Sequence, residues 1–252
     1  MSKSIPFISI ITATFNSSRY IRDVYDSLIN QTIQNWEWII TDDNSTDNTL
    51  SIINEICHND SRVKTYQNTK NFGAGISRNN SISRATGDFL AFIDSDDLWL
   101  PNKLESQLHE MNDSVFSCTP YYILNQKQNT KCSNIIDLNK SGFYFYDDLL
   151  KKKLTLGCST VLLCRKTFYD FKMCEIRAGQ DYASWLCLLR RGHSVKLLSE
   201  PLSYYRITPG SISRNKFKKA LVQWHIYRRL EKLNLFKSSS CFFSYAISAL
   251  LR

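Results

Sequence analysis

Short apolar runs rich in β-branched and aromatic residues alternate with helical patterns along the first hundred residues, and this alternation constrains the fold most strongly. We predict strands at residues 7–11, 36–40, 62–66 and 88–93, with a helical spacing of apolar residues at 20–29. Alternation of this kind is typical of an α/β fold with a parallel sheet covered by helices. Ligands of such sheets bind beyond the carboxyl ends of the strands, so those ends are the first place to search for a site.

The second half of the chain is less regular but continues the same mixture of elements. It contains predicted strands at 159–163 and 195–198 and predicted helices at 181–189 and 216–230. No segment has the composition of a linker, so the pattern by itself marks no clean domain boundary.

Acidic clusters follow two of the predicted strands. The second strand runs into Asp42 and Asp43, and the fourth runs directly into Asp94-Ser95-Asp96-Asp97. Carboxylates crowded at one sheet edge repel one another unless a cation lies among them, and their hard oxygen atoms suit Mg²⁺ or Mn²⁺. The sequence therefore predicts a divalent metal site here, with a solvated acidic turn as the alternative.

The positive charge is concentrated in the last fifth of the chain. The formal net charge is +9, and residues 206–252 hold ten Lys and Arg against one acid, whereas residues 1–205 are balanced. Phe217, Leu221, Trp224 and Tyr227 fall on one stripe of the predicted helix there. Two interpretations stay open: an amphipathic segment on an anionic membrane surface, or a helix that packs back on the domain with a basic outer face.

The cysteines and the hydropathy indicate a cytoplasmic location. The eight cysteines form no C-x-x-C pair, so we expect free thiols in a reducing compartment. No apolar run reaches the ~18–20 residues of a spanning helix.

Five segments together resemble glycosyltransferase family 2, whose members have the GT-A fold. They are Ser9-Ile10-Ile11-Thr12-Ala13-Thr14-Phe15-Asn16, Trp38-Ile39-Ile40-Thr41-Asp42-Asp43-Asn44-Ser45-Thr46-Asp47, Gly73-Ala74-Gly75-Ile76-Ser77-Arg78-Asn79, Ala85 through Pro101, and Gly179-Gln180-Asp181-Tyr182-Ala183-Ser184-Trp185. The last segment departs from the family pattern, because Gln180 stands where an acid is usual.

The resemblance implies the architecture. It is an α/β protein of the GT-A fold, a Rossmann-like mixed sheet flanked by helices, with a basic amphipathic helical tail. Residues 1–205 would form the catalytic domain, with a nucleotide-sugar half at about 1–105 and an acceptor half at about 106–205. Residues 206–252 would form the membrane-surface tail.

The resemblance also implies roles in binding the donor. Asp43 would hold the uracil or ribose, with Thr14 close by. Arg78 would lie near the base or diphosphate, and Asp94 would face the ribose or the donor sugar. Arg206, with Arg214 as a second candidate, would help neutralise the diphosphate.

The metal and the base follow from the same resemblance. Asp96 would bind Mn²⁺ or Mg²⁺, with Asp97 as a helper. Asp181 would be the general base, and the alternative for Asp181 is an ordinary acid at a helix N-terminus.

The activity that the resemblance implies is an inverting transfer from a UDP-hexose, UDP-glucose or UDP-galactose, to a sugar on undecaprenyl diphosphate. The expected product is a β linkage, β-1,3 to N-acetylhexosamine, in O-antigen or capsule assembly at the inner face of the bacterial cytoplasmic membrane. A teichuronic-type polymer transferase is a near alternative. A non-catalytic nucleotide- or nucleic-acid-binding module is a different class; we favour the enzyme, with no nucleic-acid partner.

Overall fold

The computed structural model describes residues 6–125, 134–207 and 216–250, so Cys132 and Arg214 lie outside the described residues. The strands are β1 (Ile8–Thr14), β2 (Trp36–Asp42), β3 (Val63–Gln67), β4 (Phe89–Phe92), β5 (Leu98–Trp99), β6 (Phe116–Cys118), β7 (Tyr121–Asn125), β8 (Ile135–Ile136), β9 (Gly142–Tyr144), β10 (Leu162–Cys164), β11 (Val195–Leu197) and β12 (Ser203–Ile207). The α-helices are α1 (Ile21–Ile29), α2 (Thr49–Asn59), α3 (Ala74–Ile82), α4 (Lys103–Glu110), α5 (Tyr146–Leu150), α6 (Gln180–Arg190), α7 (Lys216–His225) and α8 (Leu235–Leu250).

A mixed sheet of eight strands runs through the molecule in the order β3-β2-β1-β4-β10-β6-β11-β9. The first four strands are parallel, as the alternation predicts. Strand β10 lies antiparallel between β4 and β6, which makes the sheet mixed. A smaller sheet, β5-β12-β7-β8, follows the acidic turn after β4.

Both faces of the large sheet are covered. Ile10 belongs to a core cluster with α1 and α2, whereas its neighbour Ile11 belongs to a second cluster with α6. Successive side chains of a strand point to opposite faces, so these two clusters are the two sides of the sheet. This is why β1 and β2 are buried along their whole length.

Two predicted elements differ from the structure. Cys158–Thr160 forms a 3₁₀ turn, and strand β10 begins only at Leu162. The predicted helix at 216–230 ends as α7 at His225 and continues as a π-helical segment, Ile226–Leu230. A π-helix adds residues to each turn, so it changes which side chains share a face.

The C-terminal helices pack against the rest of the molecule. Ile226, Tyr227 and Cys241 lie in the larger core cluster, and the Tyr227 hydroxyl donates to the Leu150 carbonyl at 2.6 Å. The helix therefore packs back on the domain, as the second interpretation of the tail states. The predicted boundary at 205 lies within β12, and the division into domains stays a prediction.

The described cysteines are free thiols: Cys57, Cys118, Cys158, Cys164, Cys174, Cys187 and Cys241. Within the described ranges, every helix is either too short or too polar to cross a membrane.

Candidate active site

The parallel pairing of β1, β2 and β4 brings the predicted donor residues to one edge. Thr14 is in register with Asp42, the last residue of β2, and Ile11 is in register with Phe92, the last of β4. Asp43 and Asp94 therefore lie just beyond neighbouring strand ends. Their meeting is a consequence of strand order, as expected for this type of sheet.

Asp43 is buried and holds the loop that precedes α3. Its carboxylate accepts hydrogen bonds from Asn68 Nδ2 at 2.9 Å and from the backbone N–H groups of Phe72 at 2.8 Å and Gly73 at 2.7 Å. Gly73 has a φ of +99°, a conformation that side chains disfavour. Asp43 thus shapes one wall of the site, and its contact with a nucleotide stays a prediction.

Arg78 is the buried cation at the centre of the site, with 4% of its surface exposed. Its Nη2 donates to Asp94 Oδ1 at 2.5 Å. Burial alone would lower the pKa of Arg78, but the nearby acidic groups, Cys158, Asp94 and Asp181, raise it above its ordinary value. The guanidinium is therefore held in its charged form by its ion pair with Asp94 and by the nearby charge of Asp181.

Several polar atoms around Arg78 are buried without a partner. Among the described residues, Nε and Nη1 of Arg78 and Oγ1 of Thr14 have no hydrogen-bond partner. Buried polar atoms left without a partner cost free energy, so a polar ligand that reached them would gain hydrogen bonds. Both residues are predicted donor contacts, so this observation fits the predicted binding of a nucleotide sugar.

Ser159 organises the acidic turn, although no sequence pattern pointed to it. Its Oγ accepts a hydrogen bond from the Asp94 backbone N–H at 2.9 Å and donates to Asp97 Oδ2 at 2.5 Å. Asp97 is 2% exposed, and its other carboxylate oxygen accepts from the backbone N–H of Arg206 at 2.9 Å. Burial, with Asp94 and Asp96 nearby, raises the pKa of Asp97 well above its ordinary value.

Asp97 therefore lies behind the turn, and both of its oxygens already accept hydrogen bonds within the protein. Its role as a metal ligand stays a prediction. The arrangement gives Asp97 a structural task, because it links the acidic turn to the 3₁₀ turn and to β12.

Arg206 braces the same turn from the other side. Its Nε donates to the Asp96 carbonyl at 2.7 Å, and its Nη2 forms an ion pair with Asp23 at 3.0 Å. The guanidinium also lies over the Tyr20 ring, 4.9 Å from its centroid. The structure thus places Arg206 beside Asp96, with its guanidinium already engaged by protein groups. Contact with a diphosphate stays a prediction.

Asp96 faces an open cleft of about 420 Å³. The cleft is lined by the loop between β1 and α1 and by the acidic turn, namely Phe15, Asn16, Ser17, Ser18, Arg19, Tyr20, Asp47, Ser95 and Asp96. The sequence analysis did not predict a role for two of these residues, Phe15, which is 47% exposed, and Arg19. Phe15 belongs to the first segment that resembles the family, and Arg19 follows that segment. The cleft offers room for a substrate beside the predicted metal ligand.

The donor set at this turn fits a hard divalent cation that shares its coordination with a substrate. Asp96 and Asp94 supply carboxylate oxygens, the ligands that Mg²⁺ and Mn²⁺ prefer. Across the described ranges, no group of three or more His, Cys, Asp or Glu is placed to hold a metal alone. Mg²⁺ in phosphate-handling sites is commonly held by one or two carboxylates plus the phosphates, which matches this arrangement.

Asp181 lies in the first turn of α6, close enough to Arg78 and Asp94 to feel their charges. Burial raises the pKa of Asp181, and Asp94 adds to the rise, while the Tyr182 backbone N–H and Arg78 oppose it. Gly179, just before the helix, has a φ of +71°. The fold thus brings Asp181 and Asp94 to the same cation, although they are far apart in the sequence.

These features define a class of protein: a GT-A glycosyltransferase, with a nucleotide-binding half of parallel strands, an acidic turn and a carboxylate on the facing helix. The chain belongs to glycosyl transferase family 2, whose model matches residues 9–171. The predicted family, fold and enzyme class are confirmed.

Two curated relatives cover nearly the whole chain. The "putative teichuronic acid biosynthesis glycosyltransferase TuaG" of Bacillus subtilis (strain 168) is 39% identical over 97% of this chain and 96% of its own. The Escherichia coli "UDP-Glc:alpha-D-GlcNAc-diphosphoundecaprenol beta-1,3-glucosyltransferase WfaP" is 35% identical over 97% of this chain and 94% of its own. Among solved structures, TarS residues 1–349 of S. aureus in complex with UDP has a TM-score of 0.69 at 21% identity, over 93% of this chain and 68% of that chain.

Proposed function

We propose that this glycosyltransferase moves a hexose from a UDP-sugar, UDP-glucose first and UDP-galactose second, to an N-acetylhexosamine on undecaprenyl diphosphate. The product is a β linkage, β-1,3, in a repeat unit of a bacterial surface polysaccharide such as O-antigen. The observation that carries this proposal is the proximity of the buried Arg78 to two acids, its ion-pair partner Asp94 and the predicted base Asp181. The activity in the name of WfaP supports the choice of donor, acceptor and linkage.

The chemistry is a single displacement at the anomeric carbon of the donor. An acceptor hydroxyl forms the new bond to that carbon as the bond to the diphosphate breaks. Asp181 takes the hydroxyl proton late in the step, and a raised pKa favours this role because the carboxylate is a stronger base. Attack opposite the leaving group inverts the configuration, so an α-linked donor gives a β-linked product.

Arg78, Asp94 and Asp96 have separate roles in binding the donor. Arg78 is held in its charged form, and its unpaired Nε and Nη1 are free to donate to the nucleotide sugar. Asp94 keeps Arg78 oriented through their ion pair. Asp96 would hold the divalent cation, which when bound supplies electrostatic stabilisation of the diphosphate leaving group.

A lipid-linked acceptor implies that the enzyme works at a membrane. The proposed enzyme acts at the inner face of the cytoplasmic membrane as a peripheral protein, with an anionic membrane surface as its neighbour. The basic character of residues 206–252 supports this placement.

A second candidate is transfer in the assembly of a teichuronic-type polymer. The observation that favours it is the 39% identity to TuaG over 97% of this chain. The two candidates share the site and the base but differ in donor and acceptor sugar.

A transfer assay with Mn²⁺ and a panel of UDP-sugars tests both candidates. The acceptor is a synthetic N-acetylglucosamine-diphosphate lipid, and Asp181→Asn and Asp96→Ala are the active-site variants. Asp170→Asn is the matched control, because Asp170 is exposed and pairs with Arg191 on the surface, away from Asp181 and Asp96 in the sequence. We expect product from UDP-glucose, lost on chelation and in both active-site variants but kept in the control.

Product from a UDP-uronic acid, and from no UDP-hexose, would favour the teichuronic candidate. UDP binding that needs the metal but leads to transfer from no donor would reject the proposed acceptor. Binding of UDP that is unaffected by Asp96→Ala would overturn the role of the acidic turn.

A further inference from the structure

Two helices near the C-terminal end leave large apolar side chains in solvent. In α8, Phe236 is 87% exposed, Phe243 68% and Ile247 42%. In α7, Phe217 is 74% exposed and Leu221 56%. We call these five residues the C-terminal ridge. Single exposed apolar residues are common on proteins, but several large ones on neighbouring helices indicate a contact surface.

The ridge follows the helical repeat. Positions 236, 243 and 247, with Ser240 between them, fall on one face of α8, and 217 and 221 lie one turn apart on α7. The opposite face of α8 is fixed to the body, since Cys241 is 1% exposed and Ser238 is fully buried.

The structure corrects the stripe that the sequence predicts. Phe217 and Leu221 do face solvent, but Tyr227 is fully buried, and Trp224 lies 5.5 Å from the Phe242 ring between the two helices. The first two residues of the predicted stripe are therefore exposed, whereas the last two, Trp224 and Tyr227, pack against other parts of the protein. The other exposed apolar side chains of the ridge belong to α8, which contacts α7 through the Trp224–Phe242 ring pair.

The segment that carries the ridge is strongly basic, although one of its bases, Lys237, pairs with Asp147 of α5 at 2.9 Å. Residues 216–250 contain seven Lys and Arg and one acid, Glu231. Glu231 is buried and accepts hydrogen bonds from Tyr146 Oη at 2.6 Å and Arg190 Nη1 at 2.9 Å. The segment itself therefore presents bases to solvent, among them Arg229 and Lys232, with no acid of its own beside them.

We infer that the C-terminal ridge docks into the interfacial region of an anionic lipid bilayer. Apolar side chains flanked by bases complement a surface that carries negative headgroups over hydrocarbon. A second copy of the chain is a poorer occupant, because pairing two such faces would bring like charges together.

The helix that carries part of the ridge packs against the turn that precedes Asp181, the predicted base. A Cβ added at Gly179 would lie 3.1 Å from Val222 and 3.0 Å from Ile226, so the helix that carries Phe217 touches the turn before α6. Asp181 lies two residues further on. This consequence rests on the proposed function, in which the acceptor is lipid-linked and Asp181 is the base. Docking of the ridge would then set the distance between Asp181 and the membrane surface that holds the acceptor.

Co-sedimentation of the full chain with vesicles tests the docking itself. The vesicles are phosphatidylglycerol in one series and phosphatidylcholine in the other. The double variant Phe236→Ser/Phe243→Ser is compared with Tyr169→Ser, whose ring on the body is 83% exposed. We expect wild type and Tyr169→Ser to bind the anionic vesicles, and the double variant to bind at least about tenfold more weakly.

Equal binding of wild type and the double variant to phosphatidylglycerol would overturn the inference, as would wild-type binding that does not distinguish the two lipids. Analytical ultracentrifugation without lipid covers the competing occupant: a wild-type dimer that the double variant converts to monomer would assign the ridge to self-association instead. UDP binding by each variant separates this inference from the proposed function. If vesicle binding is lost while UDP binding is kept, the docking role stands; if UDP binding is absent in wild type, the proposed function fails alone.

Discussion

Acidic side chains are buried at both ends of the parallel strands, and the two ends treat them in opposite ways. At the amino end, Glu37 is 2% exposed. Burial alone would raise its pKa, but hydrogen bonds from Lys64, Thr86 and Ser9 lower it to about 2. At the carboxyl end, Asp97 is equally buried, yet its pKa is raised by that burial and by the two neighbouring carboxylates.

The buried charge stabilises the fold at the amino end of the sheet, whereas the buried charges at the carboxyl end oppose folding. Glu37 has a lysine within 2.7 Å and gains stability from its charge. Asp97 and Asp181 have raised pKa values, so their ionisation opposes folding at neutral pH. Sites often concentrate such unfavourable charge, because a ligand or metal of opposite charge then binds more strongly. The following predictions test this contrast, from the largest expected effect to the smallest.

Asp181→Asn should have the largest effect, and the effect should be on chemistry rather than on stability. We expect kcat to fall by about 10²–10⁴, the usual contribution of a general base, with the Kd for UDP unchanged. Steady-state kinetics and calorimetric titration with UDP measure the two quantities. A parallel loss of UDP binding would place Asp181 on the donor side instead.

The pH dependence of the wild type gives a second measure of the same group. The base acts in its deprotonated form, so kcat falls as the pH falls through its pKa. Because that pKa is raised, the loss should begin at higher pH than for an ordinary aspartate of pKa 3.8. An acidic limb at or below that value would contradict the environment that the structure gives Asp181.

Ser159→Ala should reduce kcat/KM by about tenfold to a hundredfold, since it removes a partner from a buried carboxyl and from the Asp94 N–H. We expect the metal concentration needed for half-maximal rate to rise, because the turn that carries Asp96 loosens. Ser203→Ala is the matched control, as its buried Oγ has no hydrogen-bond partner among the described residues. A uniform loss of stability in Ser159→Ala with unchanged metal dependence would make Ser159 an ordinary core residue.

Glu37→Gln should lower the free energy of unfolding by about 1–3 kcal/mol at neutral pH, because an amide N–H₂ then faces the Lys64 ammonium. The folded-state pKa of Glu37 is depressed, so its stabilisation is present above about 4.5 and is lost as the pH falls toward about 2. Urea unfolding of both proteins across this range should show the difference shrinking. Glu55→Gln, an exposed partner of Arg22, should change stability by less than about 0.5 kcal/mol.

Asp97→Asn should have the smallest effect and the opposite sign. An amide can still accept from the Arg206 N–H and donate to Ser159 Oγ, and it removes a buried charge. We expect the unfolding free energy at neutral pH to stay the same or rise by under about 1 kcal/mol. A large destabilisation, like that of Glu37→Gln, would mean that the two ends of the sheet do not differ.

The sequence predicts the nucleotide half of the fold well because its signals are local. Strands β1, β2 and β4 are short runs of mostly apolar residues, and Asp43 and the acidic turn follow the ends of β2 and β4. Parallel pairing then brings Thr14, Asp43 and Asp94 together without further information. The family segments add Arg78 and Asp181, which no local pattern would have placed near Asp94.

The remainder depends on contacts that periodicity does not contain. Nothing in the residues around Ser159 indicates that its hydroxyl meets an acid 62 positions earlier. In the tail, helical spacing identifies an apolar stripe but not which part of it is covered. Tyr227, at the start of the π-helical segment Ile226–Leu230, is fully buried in the core, whereas Phe217 is 74% exposed.

The two hydrogen bonds to Asp97 have a consequence for the order in which the chain is made. One donor, Ser159, is synthesised 62 residues after Asp97, and the other, Arg206, 109 residues after it. A nascent chain that has left the ribosome only as far as residue 105 already contains Thr14, Asp43, Arg78 and the whole acidic turn. It still leaves the Asp97 carboxyl without either partner, and such distant contacts form slowly. The acidic turn therefore gains the two contacts that hold Asp97 only after most of the chain has been translated.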